Sequence, residues 1–367
     1  MIQSLKLGKW FGVNVELHFT FLLLVLGIIV LLLIFSPANL AMTLLLLFLL
    51  FASVFVHEMF HSVVANKLGY KVKKIILHPL GGLSMTEDLP TNPKHEFIIA
   101  VVGGLFNFAV VLLVYFLRII FPQIIVFPSL ALFLEKPDFV LLNFPWFALF
   151  YINFILGAFN LFTPALPLDG GRVLRSLLAF KLGFEKATRV VTRVSTIVAI
   201  ILFFIGFLAN SIVLLIISLF VYFGSSWEYQ AVMTKQILSR VSFEKIITKK
   251  FTAVQGTKTL KQAFDLMKEK NTPVLPIKLG RQAFGFIAVD RVSGIPKKDW
   301  QTTRIERIAI KLPFIPVNAK TDEVFIKMMA KDIPFLPVKK QGKFIGLIYF
   351  RDLQKLFELE KTETEAK

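Results

Sequence analysis

Residues 51–70 read FASVFVHEMFHSVVANKLGY, and within them His57, Glu58 and His61 make the pattern His-Glu-x-x-His. At about 100° per helical residue, positions four apart lie about 40° apart on one face, so two imidazoles can meet one metal ion. Glu58 stands beside them and need not ligate; a carboxylate there can accept a proton from an attacking water. With only five histidines in the chain a chance match is uncommon, although many unrelated hydrolases share the pattern. A zinc site open for catalysis takes a third protein ligand and leaves the fourth position for water or substrate. Acidic residues are missing from the interiors of the later apolar runs, with one exception in NLFTPALPLDGGR, residues 160–172. Asp169 sits there, after Pro164 and Pro167 and before Gly170 and Gly171. The prolines interrupt a helix and the diglycine allows close backbone packing. An ionisable group at membrane depth is costly unless it is paired or metal-bound. Asp169 is therefore the candidate third ligand, with pairing to Arg172 at the membrane surface as the alternative.

The elements that must position these residues are membrane helices. The chain is 56% hydrophobic with a mean hydropathy of +0.70, and its apolar residues come in blocks able to cross about 30 Å of hydrocarbon, which takes roughly 20 residues of helix. The blocks are residues 17–35, 40–64, 97–117, 140–162 and a double run at 194–223. Asn210-Ser211 near the middle of the last run suggests two short spans joined by a tight turn; a single long tilted helix is the alternative. The first run is longer than a signal-peptide core and no small-residue cleavage site follows it, so it is expected to stay in the membrane. Cysteine is absent, which excludes disulfides and thiolate ligands.

The net charge of +18 follows topology. With six spans, Lys6, Lys9, Lys67, Lys71, Lys73, Lys74, Lys94, Arg172, Arg175, Lys181, Lys186 and Arg189 fall on one side of the membrane. Arg118 and Lys136, offset by Glu135 and Asp138, fall on the other. The positive-inside rule then makes both termini cytoplasmic, in a multi-pass protein of the cell membrane. A basic face beside anionic lipid accounts for the charge, so the lipid bilayer is the expected partner and nucleic acid is not.

After residue 223 the long apolar runs stop and a soluble domain begins near Lys235. Residues 272–289, TPVLPIKLGRQAFGFIAV, match residues 333–350, IPFLPVKKQGKFIGLIYF: Pro273, Pro276 and Gly285 recur as Pro334, Pro337 and Gly346. Each copy follows an amphipathic helical pattern and gives two apolar strands about a turn holding Gly280 or Gly342. Two such αββ units are expected to stack, because neither buries its apolar face alone. The repeat resembles a pair of CBS motifs. That resemblance implies adenine-nucleotide binding or homodimerisation, and Asp352 matches the aspartate that holds a ribose in that family. The chain departs from the pattern at the hydroxyl position, which is Tyr349, and in the first copy at Ala288 and Arg291.

A His-Glu-x-x-His near the end of the second span, a later segment like N-x-x-P-x-x-P-L-D-G-G and six spans in this order resemble the site-2 protease family of intramembrane zinc metalloproteases. With the CBS pair, the whole chain is similar to its archaeal and bacterial members. The resemblance implies one zinc ion held by His57, His61 and Asp169, Glu58 as base, and Asn160 polarising the scissile carbonyl or holding the oxyanion. It also matches HPLGGLS, residues 78–84, to a short re-entrant β-hairpin, with an ordinary cytoplasmic hairpin as the alternative. VVGGLFNF, residues 101–108, matches a small-residue and asparagine pattern in the third span, with Leu105 where the family often has proline. A second departure is Phe60, where the family has a small residue; it lies off the ligand face.

The expected architecture is a polytopic α-helical membrane protein of about six helices with a short re-entrant hairpin and a C-terminal α/β CBS-pair domain. Its parts are a membrane protease domain at 1–228, a linker at 229–245, the tandem CBS domain at 246–361 (first motif 246–292, second 307–357) and a tail at 362–367. The expected substrate is a transmembrane protein cut in or near its helix. A CBS-regulated transporter or channel would account for the architecture but not for the two motifs together. Other His-Glu-x-x-His membrane proteases need a downstream glutamate ligand that the later spans lack.

Overall fold

The structure, a computed structural model, describes residues 4–78, 81–86, 91–249, 253–279 and 283–365. The chain forms two compact units, Met1–Gln230 and Ala231–Lys367.

The first unit opens with a hairpin that the apolar-run reading passes over. Strands β1 (Ser4–Trp10) and β2 (Val13–His18) pair antiparallel about Phe11 and Gly12, both at positive φ. Val13 and Val15 are buried while Asn14 is exposed, the period of two of a half-covered strand. Strand β2 then pairs in parallel with β3 (Val72–His78), which pairs antiparallel with β4 (Gly81–Thr86). The hairpin expected at residues 78–84 is thus the outer half of a four-stranded sheet of order β1-β2-β3-β4; its turn at residues 79–80 lies outside the described residues. Glu16 fastens the sheet, accepting from the Lys74 ammonium at 2.7 Å and the Ser4 hydroxyl at 2.6 Å.

Between and after these strands run α1 (Phe19–Phe35), α2 (Leu40–Lys67) and α3 (Pro93–Ile120). The short helices α4 (Leu130–Glu135) and α5 (Pro137–Asn143) lead into α6 (Pro145–Phe162), then α7 (Asp169–Leu182), α8 (Phe184–Leu208) and α9 (Ile212–Arg240). Among the described residues five helical segments are long and apolar enough to cross a membrane: Pro37–Lys67, Pro93–Ile120, Pro145–Phe162, Phe184–Leu208 and Ile212–Arg240. The sixth apolar helix, α1, has 17 residues, the short end of what spans a bilayer. The run expected at 140–162 breaks at Phe144, because Pro145 lacks an amide proton and starts a new helix at its first position. At the end of the membrane unit the tight turn is present, with Asn210 at φ 49°. The flanking helices are longer than the apolar run, since the amphipathic stretch from Phe184 continues the same helix. Small and polar residues such as Gly103, Asn107, Asn153, Gly157 and Ser195 are prominent among those buried in these helices, as expected where lipid already solvates large apolar side chains.

Residues 229–245, read as a linker, are helical through Arg240. Beyond them the repeat is two βαββ units. The first is β5 (Val254–Gln255), α10 (Leu260–Glu269), β6 (Val274–Leu279) and β7 (Ala283–Ala288), followed by α11 (Val289–Ser293). Strand β8 (Ile310–Leu312) pairs with β7 and completes the first sheet. The second unit is β9 (Ile315–Pro316), α12 (Thr321–Ala330), β10 (Phe335–Lys340) and β11 (Lys343–Tyr349), followed by α13 (Phe350–Glu365). Thr248 bridges to Leu347 on β11 as β8 does to β7. The repeated glycines do the same job in both copies: a Cβ on Gly285 would meet the Ile310 carbonyl oxygen at 2.6 Å, and one on Gly346 the Thr248 carbonyl oxygen at 2.6 Å. Gly280 lies outside the described residues; Gly342 turns the second hairpin at φ 75°.

Candidate active site

Helix α2 carries His57 and His61 one turn apart, and both rings are buried, at 2% and 8% exposure. They pack onto α3 where it has no side chain. A Cβ on Gly103 would fall inside contact distance of both imidazoles, so a glycine is required for α3 to lie this close. Gly104, next along, lets Leu161 of α6 approach, its Cβ lying 3.1 Å from where a Cβ on Gly104 would sit.

Asp169 arrives from the opposite direction. Helix α6 stops at Phe162 and an extended turn holding Pro164 and Pro167 leads to Leu168, the N-cap of α7, so that Asp169 is the first residue of α7. Two anchors hold this turn: the Leu166 amide donates to the Ser195 hydroxyl of α8 at 2.8 Å, and Pro167 packs on Gly224 of α9. Gly170 and Gly171 leave no Cβ to collide with backbone atoms of Leu161, Thr163, Ala165 and Leu166. One turn on, Arg175 donates to Glu96 of α3 and, at 2.7 Å, to Glu228 of α9. Arg172 also lies toward Glu228, at 3.8 Å.

The result brings three ligand atoms together. His57 Nε2 and His61 Nε2 are 3.0 Å apart, and each is 3.2 Å from Asp169 Oδ2. Among the described residues this is the group of histidine and acidic side chains able to hold one metal ion. Atoms about 2.0 Å from a tetrahedral zinc are about 3.3 Å from one another, so the spacing fits that ion. The chemistry of the donors fits as well. His61 Nδ1 lies 2.5 Å from the Ile99 carbonyl oxygen, which can only accept, so Nδ1 carries the proton and Nε2 keeps its lone pair. His57 Nδ1 lies 2.6 Å from Asn107 Oδ1. Asp169 Oδ2 is buried without a hydrogen-bond donor. Lone pairs turned toward one another in a buried place are relieved by a cation between them, and zinc is a cation this donor set suits.

The other residues singled out in the sequence are placed as follows. Glu58 follows His57 on α2 and is half-buried. Asn160 makes no side-chain hydrogen bond among the described residues. Three residues separate it from Pro164, one more than in N-x-x-P, so its assignment leans on helix geometry. It lies two turns after Asn153, within about 20° of the same face of α6, and Asn153 hydrogen-bonds Asn107 of α3. Phe60 is 41% exposed and stacks on Phe106 of α3, ring centroids 4.7 Å apart. In the second unit Asp352 is half-buried in the first turn of α13, 3.9 Å from the Arg351 guanidinium. Tyr349, at the hydroxyl position, is half-buried on β11, where burial and the nearby Asp352 carboxylate push its phenol above the usual value. Residues the sequence did not single out are Ser53 and Asn153, buried within apolar helices, Glu96, buried in the first turn of α3, and Glu228, half-buried beyond the apolar run of α9. A polar side chain inside an apolar helix was the available signal for Ser53 and Asn153.

Comparison with known proteins gives three findings. The model of Peptidase family M50 matches residues 45–143 and 135–202. Zinc metalloprotease MJ0392 of Methanocaldococcus jannaschii is 30% identical over 374 aligned positions covering all of both chains. Among solved structures, Site-2 Protease from Methanocaldococcus jannaschii is similar at 36% identity over 62% of this chain and 95% of that one, with a TM-score of 0.46. The CBS domain of the bacterial CNNM/CorC family Mg2+ transporter is similar at 15% identity over 35% of this chain and 82% of that one, with a TM-score of 0.31.

Proposed function

The chain belongs to peptidase family M50, the site-2 protease family of zinc metalloproteases, and from that premise we propose how its own residues do the work. It is a multi-pass membrane enzyme that hydrolyses peptide bonds of membrane-protein substrates within the bilayer. In our reading His57, His61 and Asp169 hold the zinc through Nε2, Nε2 and Oδ2. The observation that carries this is the convergence of those three atoms, with Oδ2 buried and without a donor. Zinc, when bound, supplies Lewis-acid polarisation of the scissile carbonyl and lowers the pKa of water. Glu58 takes the proton of the attacking water and returns it to the departing amide nitrogen. Asn160 donates its amide N–H to the carbonyl oxygen as negative charge develops there. The substrate helix must unwind locally first, because a helical carbonyl is already engaged by its own helix.

Purified wild type, Glu58→Gln and Asp169→Ala test these roles through metal content and cleavage of a transmembrane test substrate. Glu58→Gln should keep its zinc and cleave about 10²–10⁴-fold more slowly, the usual worth of a positioned base. Asp169→Ala should lose zinc and activity together. A wild type without zinc, or a Glu58→Gln as fast as wild type, would sink the assignment. Asn160→Ala should lower the cleavage rate while leaving zinc affinity intact.

We also read residues 1–228 as the protease domain, 229–245 as its link, and 246–361 as a CBS pair that regulates access or pairs two copies. The termini face the cytoplasm, and nucleic acid has no part. Adenine-nucleotide binding at Asp352 is tested by titrating ATP into wild type and Asp352→Ala. Binding that Asp352→Ala abolishes supports a nucleotide site, and its absence leaves the pair as a structural or dimerising module.

A further inference from the structure

We infer that Asn153, buried one helix away from the metal ligands, is a positioning residue that fixes the ring tautomer of His57. A metal-binding imidazole must present a lone pair, and which nitrogen does so is decided by what the other one touches. For His61 a backbone carbonyl decides. His57 Nδ1 faces Asn107, whose side-chain amide has an oxygen end and an NH2 end of nearly equal shape. If the NH2 end faced the ring, Nδ1 would have to accept, the proton would move to Nε2, and the ligand atom would be lost. Something must hold the amide the right way round.

The hydrogen bonds do so in sequence, starting from a group that cannot turn. The Leu149 carbonyl oxygen, on the backbone of α6, accepts from Asn153 Nδ2 at 2.9 Å. Ser53 Oγ donates to the Leu49 carbonyl at 2.7 Å, so it too accepts from Asn153 Nδ2, at 3.0 Å. With two acceptors on that side, Asn153 must present Oδ1 to α3, where it accepts from Asn107 Nδ2 at 2.9 Å. Asn107 Oδ1 is thereby turned to His57 Nδ1, which donates, and Nε2 is left bare beside His61 and Asp169. Asn107, Asn153 and Ser53 are 0%, 1% and 6% exposed, so water cannot substitute for a missing link. Reversing any one amide would set oxygen against oxygen or N–H against N–H in a place where no water can meet the stranded group.

The inference rests on His57 being a zinc ligand, and the experiment separates the two. Full-length protein in detergent is titrated with zinc against a chelator, and cobalt substitution reports coordination by its visible bands. Asn153→Leu and Asn153→Ala, read side by side so that added bulk is not mistaken for a lost hydrogen bond, should weaken zinc about 10–100-fold, as loss of an outer partner of a ligand does. Adding Asn107→Asp to either should restore the affinity to within about threefold, because a carboxylate accepts from Nδ1 whichever way it is turned. Asn153 variants that bind zinc like wild type overturn the inference. Variants that lose zinc and are not rescued by Asn107→Asp overturn it too, since the loss is then one of packing. A wild type that binds no zinc overturns the metal assignment itself.

Discussion

At the level of single residues the site is held as firmly by what is missing as by what is present. Gly103 has the two histidine rings where its side chain would be, and no rotamer change moves a ring whose nitrogens are both committed. Gly103→Ala should therefore separate α3 from α2, at a cost of about 1–3 kcal/mol for overpacking. Since about 1.4 kcal/mol is tenfold in a binding constant, zinc affinity should fall about tenfold or more, which retention on dialysis would measure. Unchanged retention would mean that the rings are not fixed against this glycine. The three side chains that converge were readable from residue order, because His57 and His61 share a helix and Asp169 lies in the one acidic interruption of the later apolar runs. Asn153 was not. Its partner Asn107 is 46 residues away on another helix, and only the packing of α3 on α6 pairs them.

Among the elements, α7 is the one whose position decides whether Asp169 meets the histidines. Arg175 joins it to α3 through Glu96 and to α9 through Glu228, with all three side chains buried or nearly so. Removing the guanidinium would leave the buried Glu96 carboxylate without its cation and Glu228 with Arg172 alone, and breaking a buried pair typically costs about 3–5 kcal/mol. Arg175→Met should lower the thermal midpoint and the zinc content together, and adding Glu96→Gln should recover part of both. A variant as stable and as zinc-loaded as wild type would show that the turn at residues 163–168 suffices. The four-stranded sheet has a milder fastening. The hydrogen bond from Lys74, with that from Ser4, holds the Glu16 carboxyl below the usual carboxylate range. A carboxyl lowered by folding adds stability above its unfolded pKa and loses it as pH falls through the folded value. Wild type should lose stability more steeply than Glu16→Gln below the usual carboxylate range, read as thermal midpoints across an acid series. Strands β1 and β2 escaped the hydropathy reading because their alternation ends where the apolar run of α1 begins, so the run alone set the boundary. The turn at Asn210 was visible, since Asn-Ser inside an apolar run has little other use and the asparagine tolerates positive φ.

For the molecule as a whole, the spans order its charge, and that ordering can be tested directly because the chain contains no cysteine. Single cysteines can be placed at exposed lysines without a background to remove. If both termini are cytoplasmic, Lys136→Cys, between α4 and α5, lies on the far side of the membrane. Lys9→Cys on β1, Lys186→Cys near the start of α8 and Lys355→Cys on α13 lie on the near side. In intact cells a membrane-impermeant maleimide should label Lys136→Cys alone; after permeabilisation it should label all four. The same experiment decides whether α1 crosses the membrane. With 17 residues it is short for a span, and a short helix can cross only by thinning the bilayer or drawing its flanks inward. Strand β2, just before α1, pairs with β3, just after α2, so the start of α1 and the end of α2 share a face and α1 must cross back wherever α2 crosses. Labelling of Lys9→Cys in intact cells would put β2 on the face opposite β3, and so overturn the six-helix reading and the four-stranded sheet together.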